Sequence, residues 1–145
     1  MKDRILLIIP AYNEEENILG TYKEIRNFNK NNKVKYDVIV INDGSTDNTE
    51  NILNENKIRH ITLIHNLGIG GAVQTGYKYA YENNYDIAVQ FDGDGQHDVN
   101  CVYDIIKPIL DKKADFTIGS RFIDKTSSRF KSTVARQIGI RVISK

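Results

Sequence analysis

The 145-residue sequence is poor in several features that mark other classes of protein. Its one cysteine, Cys101, excludes an internal disulfide, and the apolar periodicity around it predicts a buried thiol. No apolar run is long enough to span a membrane, and the run Ile5–Ile9 is too short for a signal peptide and has no cleavage site after it. The formal net charge of +1 gives no reason to expect nucleic-acid binding. We therefore expect a cytoplasmic globular protein.

Several motifs of nucleotide-binding proteins and hydrolases are also missing. The chain has no G-x-x-x-x-G-K-[ST] loop and no G-x-S-x-G turn. Gly68 and Gly70 supply the first two glycines of G-x-G-x-x-G, but Val73 occupies the sixth position, and the loop follows the third predicted strand instead of the first. The three histidines lack the spacing of a zinc site. A P-loop protein is excluded, and a dinucleotide-binding dehydrogenase is disfavoured.

What the chain does contain is a regular alternation of apolar strands and amphipathic helices. Ile5–Ile9 is a continuous apolar run ended by Pro10, which is typical of a strand covered on both faces. Such alternation predicts an α/β fold, a three-layer αβα sandwich around a mostly parallel, doubly wound sheet. Further strands are predicted over residues 36–42, 61–64, 86–91 and 116–119.

Capping residues and apolar spacing mark the helices between these strands. Asn13 with Glu16, and Asp47 with Glu50, have the spacing of capping pairs at two helix starts. The third helix is expected to point Val73, Tyr77 and Ala80 inward. The fourth helix is expected to start near Val99 and to kink or end at Pro108. A basic segment from about Ser127 is also predicted to be helical.

The stretch Val89–Asp98 combines a strand end with three carboxylates. Asp92 and Asp94 stand one residue apart, with Asp98 close behind, so their charges repel unless a cation lies between them. Hard divalent cations prefer oxygen ligands, and Mg²⁺ is typically held by one or two carboxylates together with substrate phosphates. The stretch therefore predicts a metal–diphosphate site. The alternative is a polar loop with Asp98 as a helix cap, since Asp-Gly-Asp-Gly alone is common in turns.

The position of the other polar loops favours the metal site. In doubly wound sheets, ligands bind beyond the carboxyl ends of the strands. Five polar loops are predicted at that edge: residues 10–14, 42–47, 66–71, 92–98 and 119–122.

Together these loops resemble family 2 glycosyltransferases with the GT-A fold, in the branch of dolichol-phosphate mannosyltransferase-like and polyprenyl-phosphate glycosyltransferase enzymes. The resemblance spans nearly the whole chain, and five motifs in order are more specific than any one of them. The motifs are Ile9-Pro10-Ala11-Tyr12-Asn13-Glu14-Glu15, Ile41-Asn42-Asp43-Gly44-Ser45-Thr46-Asp47, Asn66-Leu67-Gly68 with Gly70-Gly71-Ala72 and Gly76, Phe91-Asp92-Gly93-Asp94-Gly95-Gln96-His97, and Gly119-Ser120-Arg121-Phe122.

The resemblance implies transfer of a sugar, with inversion, from a UDP- or GDP-sugar bound with Mn²⁺ or Mg²⁺. Asp43 matches the residue that reads the base edge, although it could instead cap its turn. Asp94 is the expected principal metal ligand and, with Arg121, one of two residues expected to serve catalysis. The implied nucleotide-binding residues are Pro10, Ala11, Tyr12, Glu14, Asp43, Gly71 and Asp92, and the implied metal ligands are Asp92, Asp94 and Gln96.

A polyprenyl (dolichyl or undecaprenyl) phosphate is the implied acceptor. Because a lipid phosphate is already an anion, it needs cationic positioning more than a strong base. Arg121 and Arg136 match positions that hold the acceptor phosphate, although Arg136 could be an ordinary surface residue of a helix. From Lys113 onward there are eight basic and two acidic residues, a net charge of +6, so we expect peripheral contact with the inner membrane face.

We expect residues 1–145 to form a single donor-binding domain of the GT-A type. Family members continue well past this point, and the sequence stops inside a predicted helix, so the acceptor side is expected to be incomplete. The alternative function is a non-catalytic nucleotide-sugar-binding module that needs a partner or a further C-terminal segment. A nucleotidyltransferase is disfavoured, because Glu14, Glu15 and Glu16 stand where such enzymes have a basic, glycine-rich loop.

Overall fold

Strand β1 (Ile5–Ala11) lies in the interior of a four-stranded sheet in the computed structural model, which describes residues 3–93 and 98–119. The chain divides into two compact units, Met1–Tyr103 and Asp104–Lys145, and the boundary falls within the last described helix. In chain order, the other elements are α1 (Ile18–Asn31), β2 (Asp37–Asn42), α2 (Thr49–Glu55), β3 (His60–Thr62), α3 (Gly68–Glu82), β4 (Ile87–Gln90), a 3₁₀ helix (Val99–Cys101) and α4 (Val102–Leu110).

The four strands are parallel and stand in the order β3-β2-β1-β4. Ile8 of β1 is opposite Ile39 of β2 on one side and Gln90 of β4 on the other. The chain adds β2 and β3 on one side of β1 and then places β4 on the other, so the order reverses between β1 and β4. Ligands bind beyond the carboxyl ends of the strands at such a switch point. The predicted parallel, doubly wound α/β sheet is confirmed.

The apolar run of β1 is buried because helices cover both faces of the sheet. Residues 5–9 are all 5% exposed or less. On one face Ile8 belongs to a core cluster with Ala72 of α3. On the other face Ile9 and Ile18 of α1 both lie beside Gly93. Alternate residues of the strand therefore face opposite helical layers, which is why an unbroken apolar run forms a strand here.

Helix α3 approaches the sheet most closely at Gly76. A Cβ atom added there would lie 2.2 Å from Cγ2 of Ile8, so only glycine fits this position. The close approach turns Gly76 toward the sheet and leaves its neighbour Tyr77 42% exposed. Our prediction that Tyr77 points inward was wrong for this reason, whereas Val73 and Ala80 are buried as predicted.

The start of the chain differs from prediction at two positions. Strand β1 continues through Pro10 to Ala11 instead of ending before the proline. The register with β4 stops at Ile8, so Pro10 lies where β1 has a ladder on the β2 side only, and a missing N–H is tolerated there. Asn13 does not cap α1, which begins at Ile18. Its φ is +55°, and its side chain bonds to a different loop.

The segment after β4 bears out one prediction and corrects another. The Asp98 carboxylate accepts a hydrogen bond from the Asn100 N–H at 2.9 Å, so its predicted capping role is confirmed. Cys101, however, is exposed, and the prediction of a buried thiol was wrong. Val99 and Val102 occupy the inward positions of this short helical stretch, and Cys101 between them faces outward.

In the second unit, the predicted strand over residues 116–119 is not formed. Phe116 and Ile118 are 73% and 77% exposed. The backbone of Gly119 instead lies against Ile105 of α4, where an added Cβ would be 2.8 Å from Cδ1 of Ile105. A short apolar run predicts a strand only when a neighbouring strand pairs with it, and within residues 104–119 none does. The helix predicted from about Ser127 lies outside the described residues.

Candidate functional site

A cleft opens at the carboxyl edge of the sheet, beside the switch point between β1 and β4. Its volume is about 290 Å³. Its walls come from the end of β1 and the loop after it, from the residue after β2, from the first turns of α3, and from the residues after β4. The lining residues are Pro10, Ala11, Tyr12, Glu14, Asp43, Ile69, Ala72, Asp92 and Gly93.

The cleft brings together most of the residues predicted to bind a nucleotide. Six of the seven line it, although they come from three segments that are far apart in the sequence. Gly71 is the exception: it lies in the first turns of α3, where an added Cβ would be 2.5 Å from Cβ of Leu67. Ile69 and Ala72 are the α3 residues that reach the cleft.

The loop after β1 is held by hydrogen bonds to the loop after β2. The Asn13 N–H donates to the Ser45 hydroxyl at 3.0 Å, and the Asn13 side-chain oxygen accepts from the Thr46 N–H at 2.8 Å. The Glu14 N–H donates to the Thr49 hydroxyl at 2.9 Å. Because Tyr12 and Glu14 lie in the first of these loops, their position at the cleft depends on side chains more than 30 residues away.

Asp47 links the same two loops through further hydrogen bonds. Its carboxylate accepts from the Glu15 N–H at 3.1 Å and from the Thr49 N–H at 3.0 Å. In return, the Glu15 carboxylate accepts from the Asn48 N–H at 2.8 Å. Burial raises the pKa of Asp47, but hydrogen bonds from Thr49 and Glu15 outweigh it and leave that pKa below its ordinary value of 3.8. The anionic form is therefore the one that holds the loops together.

Asp43 combines a buried position with a place in the cleft wall. Its side chain is only 3% exposed, and its Oδ1 accepts from the Leu67 N–H at 2.8 Å. It thus bridges to the start of α3 instead of capping its own turn. The next residue, Gly44, has φ +68°, and an added Cβ would lie 3.0 Å from the Asn66 nitrogen. The two residues together bring the loop after β3 against the loop after β2.

The start of the acidic stretch is anchored under the cleft. The hydroxyl of Thr21, a buried residue of α1, donates to the Gly93 carbonyl at 3.1 Å. Gly93 packs tightly, since an added Cβ would lie 3.1 Å from Cγ2 of Ile9. Asp92 is half-buried, and its Oδ1 accepts from the Gln90 side chain at 3.2 Å. The first carboxylate of the stretch therefore stands on a fixed backbone at the cleft.

Other predicted site residues lie outside the part of the chain that the structure describes: Asp94, Gln96, Arg121 and Arg136. Within residues 3–93 and 98–119, no group of three or more His, Cys, Asp or Glu side chains could hold a metal ion. No helix in those ranges is long and apolar enough to cross a membrane. Asp92 is thus the predicted metal ligand that the structure describes.

Sequence reasoning missed the residues that assemble the cleft. Ser45, Thr46 and Thr49 do not touch it, yet they hold the loop that carries Tyr12 and Glu14. Their density in the run Ser45–Thr49 was a usable signal, because small polar side chains often bond to backbone groups of loops. Thr21 gave a weaker signal, a polar residue on the inward face of a helix.

Comparison of the sequence with known proteins gives the family of this fold, which has a cleft at the carboxyl ends of its parallel strands. Residues 6–142 match the family model described as Glycosyl transferase family 2, and the chain belongs to that family. It is 38% identical, over 91% of its length, to UDP-N-acetylglucosamine–dolichyl-phosphate N-acetylglucosaminyltransferase of Methanococcus voltae. It is 31% identical, over 81% of its length, to undecaprenyl-phosphate mannosyltransferase of Micrococcus luteus. These matches cover 57% and 48% of the two relatives, so the chain spans about half the length of the curated relatives it matches.

A solved structure supports the same fold. Glucosyl-3-phosphoglycerate synthase from Mycobacterium tuberculosis, in complex with Mn²⁺, uridine diphosphate and glucosyl-3-phosphoglycerate, matches with a TM-score of 0.58 and 26% sequence identity. The match covers 74% of this chain and 40% of that one. The GT-A assignment made from the sequence motifs is confirmed by this likeness and by the family.

Proposed function

We propose that this chain is the donor-binding part of a metal-dependent, inverting glycosyltransferase that moves a sugar from a UDP- or GDP-sugar to a polyprenyl phosphate. The observation that carries the proposal is the cleft itself. Six residues assigned to nucleotide binding on sequence grounds line one concavity at the switch point of the sheet. Relatives named for transfer to dolichyl and undecaprenyl phosphate support the acceptor class.

The nucleoside end of the donor fits the wall formed by the loop after β1. Tyr12 is 48% exposed at the cleft and offers a flat face on which a base can stack. The Glu14 carboxylate is half-buried and can accept hydrogen bonds from ribose hydroxyls. Asp43 can use a carboxylate oxygen to accept an N–H from the base edge, while Oδ1 also holds Leu67. This arrangement favours a nucleotide over a sugar alone.

The diphosphate end fits the wall that carries Asp92 and Gly93. Asp92 supplies carboxylate oxygen, the donor type that Mn²⁺ and Mg²⁺ prefer, so a hard divalent cation suits the described part of the acidic stretch. Asp94 and Gln96 are the further ligands that we propose. Such a cation, when bound, neutralises the diphosphate as it leaves the sugar. The similar synthase was solved in complex with Mn²⁺ and uridine diphosphate, and that complex supports this donor chemistry.

The acceptor end is assigned to cationic side chains. A polyprenyl phosphate brings its own anionic nucleophile, so its oxygen can attack the anomeric carbon as the bond to the diphosphate breaks. Arg121 and Arg136 are proposed to hold that phosphate with paired N–H donors. The basic C-terminal region would place the chain peripherally on an anionic membrane surface.

A second candidate function follows from the extent of the chain relative to its family. It covers 57% of the archaeal relative and 48% of the bacterial one. A unit of this size can contain the donor cleft while the acceptor groups come from a further segment or another chain. In that case the 145 residues bind a nucleotide sugar without transferring it.

An assay of product formation distinguishes the two functions. The 145-residue protein is incubated with Mn²⁺, a short-chain polyprenyl phosphate and, in separate reactions, UDP-N-acetylglucosamine, UDP-glucose and GDP-mannose. Sustained release of UDP or GDP together with a glycosylated lipid supports the transferase and rules out the binding module.

The matched controls are two carboxylate variants from the same stretch. Asp94→Asn should abolish turnover, whereas Asp98→Asn should leave it unchanged, because asparagine keeps the helix cap and removes only a charge that the site does not use. Tight donor binding without product in the wild type favours the module. Absence of both binding and product contradicts both functions.

A further inference from the structure

A second concavity lies at the amino-terminal ends of strands β2 and β3, opposite the carboxyl ends where the cleft lies. It has a volume of about 490 Å³, larger than the cleft. It is formed by the outer turns of α1, the start of β2 and the connection from α2 to β3. Its lining residues are Tyr22, Arg26, Asn29, Tyr36, Asp37, Val38, Lys57, Ile58 and Arg59. We call it the basal groove.

The basal groove is independent of the donor cleft. The two share no lining residue. Asp37, in the groove, starts β2, and Asp43, in the cleft, follows the last residue of the same strand. At about 3.3 Å per residue, the two positions are roughly 20 Å apart. A ligand in one concavity therefore does not touch the other.

The lining of the basal groove is cationic. It contains Arg26, Lys57 and Arg59 against a single carboxylate, Asp37. The chain around it adds to this charge, because residues 23–35 hold, besides Arg26, four basic residues and one acidic residue. Like charges gathered in a concave surface raise the local concentration of counter-ions. The electrostatics of the groove favour an anionic ligand.

The one carboxylate in the groove is already engaged. The Tyr85 hydroxyl donates to Oδ2 of Asp37 at 2.9 Å and accepts from Arg59 Nη1 at 3.2 Å. Burial raises the pKa of Tyr85, and the hydrogen bond to Asp37 raises it further, so the phenol stays protonated and keeps donating. Asp37 thus neutralises part of the Arg59 charge and does not pair with Arg26 or Lys57.

The side-chain N–H donors of two cations in the groove are not used by other described residues. Among residues 3–93 and 98–119, the side chains of Arg26 and Lys57 form no hydrogen bond or ion pair with one another or with any other described residue. Arg26 lies over the Tyr22 ring at 5.9 Å, which orients the guanidinium without using its N–H groups. Lys57 has φ +52° at the end of α2, a position usually taken by glycine or asparagine.

The walls around these cations are rigid. Tyr36 is buried and stacks on Phe28, with ring centroids 5.2 Å apart. The Asn29 side chain accepts a hydrogen bond from the Tyr36 N–H at 2.9 Å and donates one to the Tyr36 carbonyl at 2.8 Å. The floor that carries Arg26 and the start of β2 is therefore preorganised, which lowers the ordering cost of binding.

We propose that the basal groove is a second ligand site, which binds a phosphate-bearing anion through Arg26, Lys57 and Arg59. Arginine offers paired N–H donors that match phosphate oxygens, and lysine adds a point charge. The shared chemistry is a phosphate monoester or diester, which can come from a soluble metabolite or from a lipid headgroup. The site needs no divalent cation, since its charge comes from the protein alone.

Titration with inorganic phosphate, followed by ¹⁵N–¹H correlation spectra, tests the site in the 145-residue protein. The titration is done without divalent cations and at constant ionic strength, with chloride as the compensating anion. Saturable shifts at the amides of Lys57, Ile58 and Arg59 are expected. The double variant Arg26→Gln/Lys57→Gln should bind at least about 10-fold more weakly, because each charge-assisted hydrogen bond contributes about that factor.

The control is Lys78→Gln, which removes an exposed lysine of α3 that is paired with Glu82 at 3.8 Å and does not line the groove. It should bind phosphate as the wild type does. Equal binding by the double variant and the wild type, or linear shifts that chloride reproduces, would overturn the proposal.

A second arm identifies the source of the phosphate. Flotation with phosphatidylglycerol vesicles and with phosphatidylcholine vesicles is compared with titration of soluble glycerol 3-phosphate. Retention on phosphatidylglycerol that the double variant loses assigns the groove to a lipid headgroup, and saturable glycerol 3-phosphate binding that it loses assigns it to a soluble ligand. Failure of the double variant to change either one contradicts the site.

Discussion

Gly76 offers a sharp test of how α3 is placed against the sheet. Gly76→Ala would put a Cβ 2.2 Å from Cγ2 of Ile8 and about 3 Å from its other two side-chain carbons, Cγ1 at 3.0 Å and Cδ1 at 3.1 Å. Ile8 is fully buried on an interior strand, and Cγ2 is attached directly to its Cβ. The clash therefore cannot be relieved by moving the end of a flexible side chain, and α3 has to shift.

The expected loss of stability follows from two opposing effects. Overpacking a well-packed core typically costs 1 to 3 kcal/mol, and this contact is at the severe end of that range, so we take about 3 kcal/mol. Alanine is better than glycine in a helix by about 1 kcal/mol. The net destabilisation should be about 2 kcal/mol, which corresponds to a fall in Tm of roughly 4 to 8 °C for a chain of this size.

Urea unfolding followed by circular dichroism measures this effect. Gly70→Ala is the matched control, because Gly70 is in the same helix and an added Cβ would meet nothing within 4 Å. That variant should be as stable as the wild type or slightly more stable. Equal unfolding midpoints for the two variants would refute the close packing of α3 on β1. Since Ile69 and Ala72 of α3 line the cleft, Gly76→Ala should also weaken nucleotide binding.

Three further variants test the loops around the cleft. Asp47→Ala removes the acceptor of two backbone N–H groups and should cost about 1 to 2 kcal/mol in urea unfolding at pH 7. Because the folded-state pKa of Asp47 is lowered, its contribution is present above its ordinary pKa of 3.8 and is lost as the pH falls through the folded value, so the variant and the wild type should converge in acid. Gly44→Ala should cost about 2 kcal/mol, because φ is +68° and the added Cβ meets the neighbouring loop, and a value near zero would contradict that geometry. Thr21→Val keeps the volume but removes the donor to Gly93, with an expected cost of about 1 to 2 kcal/mol by the same measurement, whereas no loss would show that the bond does not hold the acidic stretch.

The sheet could be predicted from the sequence because its signals are local. The apolar run Ile5–Ile9 is long enough to identify a strand buried on both faces, and the order of strands and helices implies a parallel sheet. The gathering of Tyr12, Asp43 and Asp92 at one edge then followed from the fold, since carboxyl ends of parallel strands share an edge.

The parts that could not be predicted depend on contacts across the fold. Asn13 looks like a helix cap in the sequence, but its side chain bonds to Thr46, 33 residues away. Tyr77 matched the helical period, but Gly76 is the residue that packs against Ile8, and Tyr77 beside it is left exposed. Residues 116–119 resemble a strand, although whether an apolar run pairs depends on a neighbour that the run itself does not specify.

We propose that the cleft binds a nucleotide diphosphate together with a divalent cation at the acidic stretch. The test is isothermal titration calorimetry of the 145-residue protein with UDP and with GDP, in Mn²⁺ and in EDTA. We expect saturable binding of one nucleotide in Mn²⁺, at least about 10-fold weaker binding in EDTA, and the same loss in Asp94→Asn but not in Asp98→Asn. Equal affinities with and without Mn²⁺, or an unchanged affinity in Asp94→Asn, would contradict the claim.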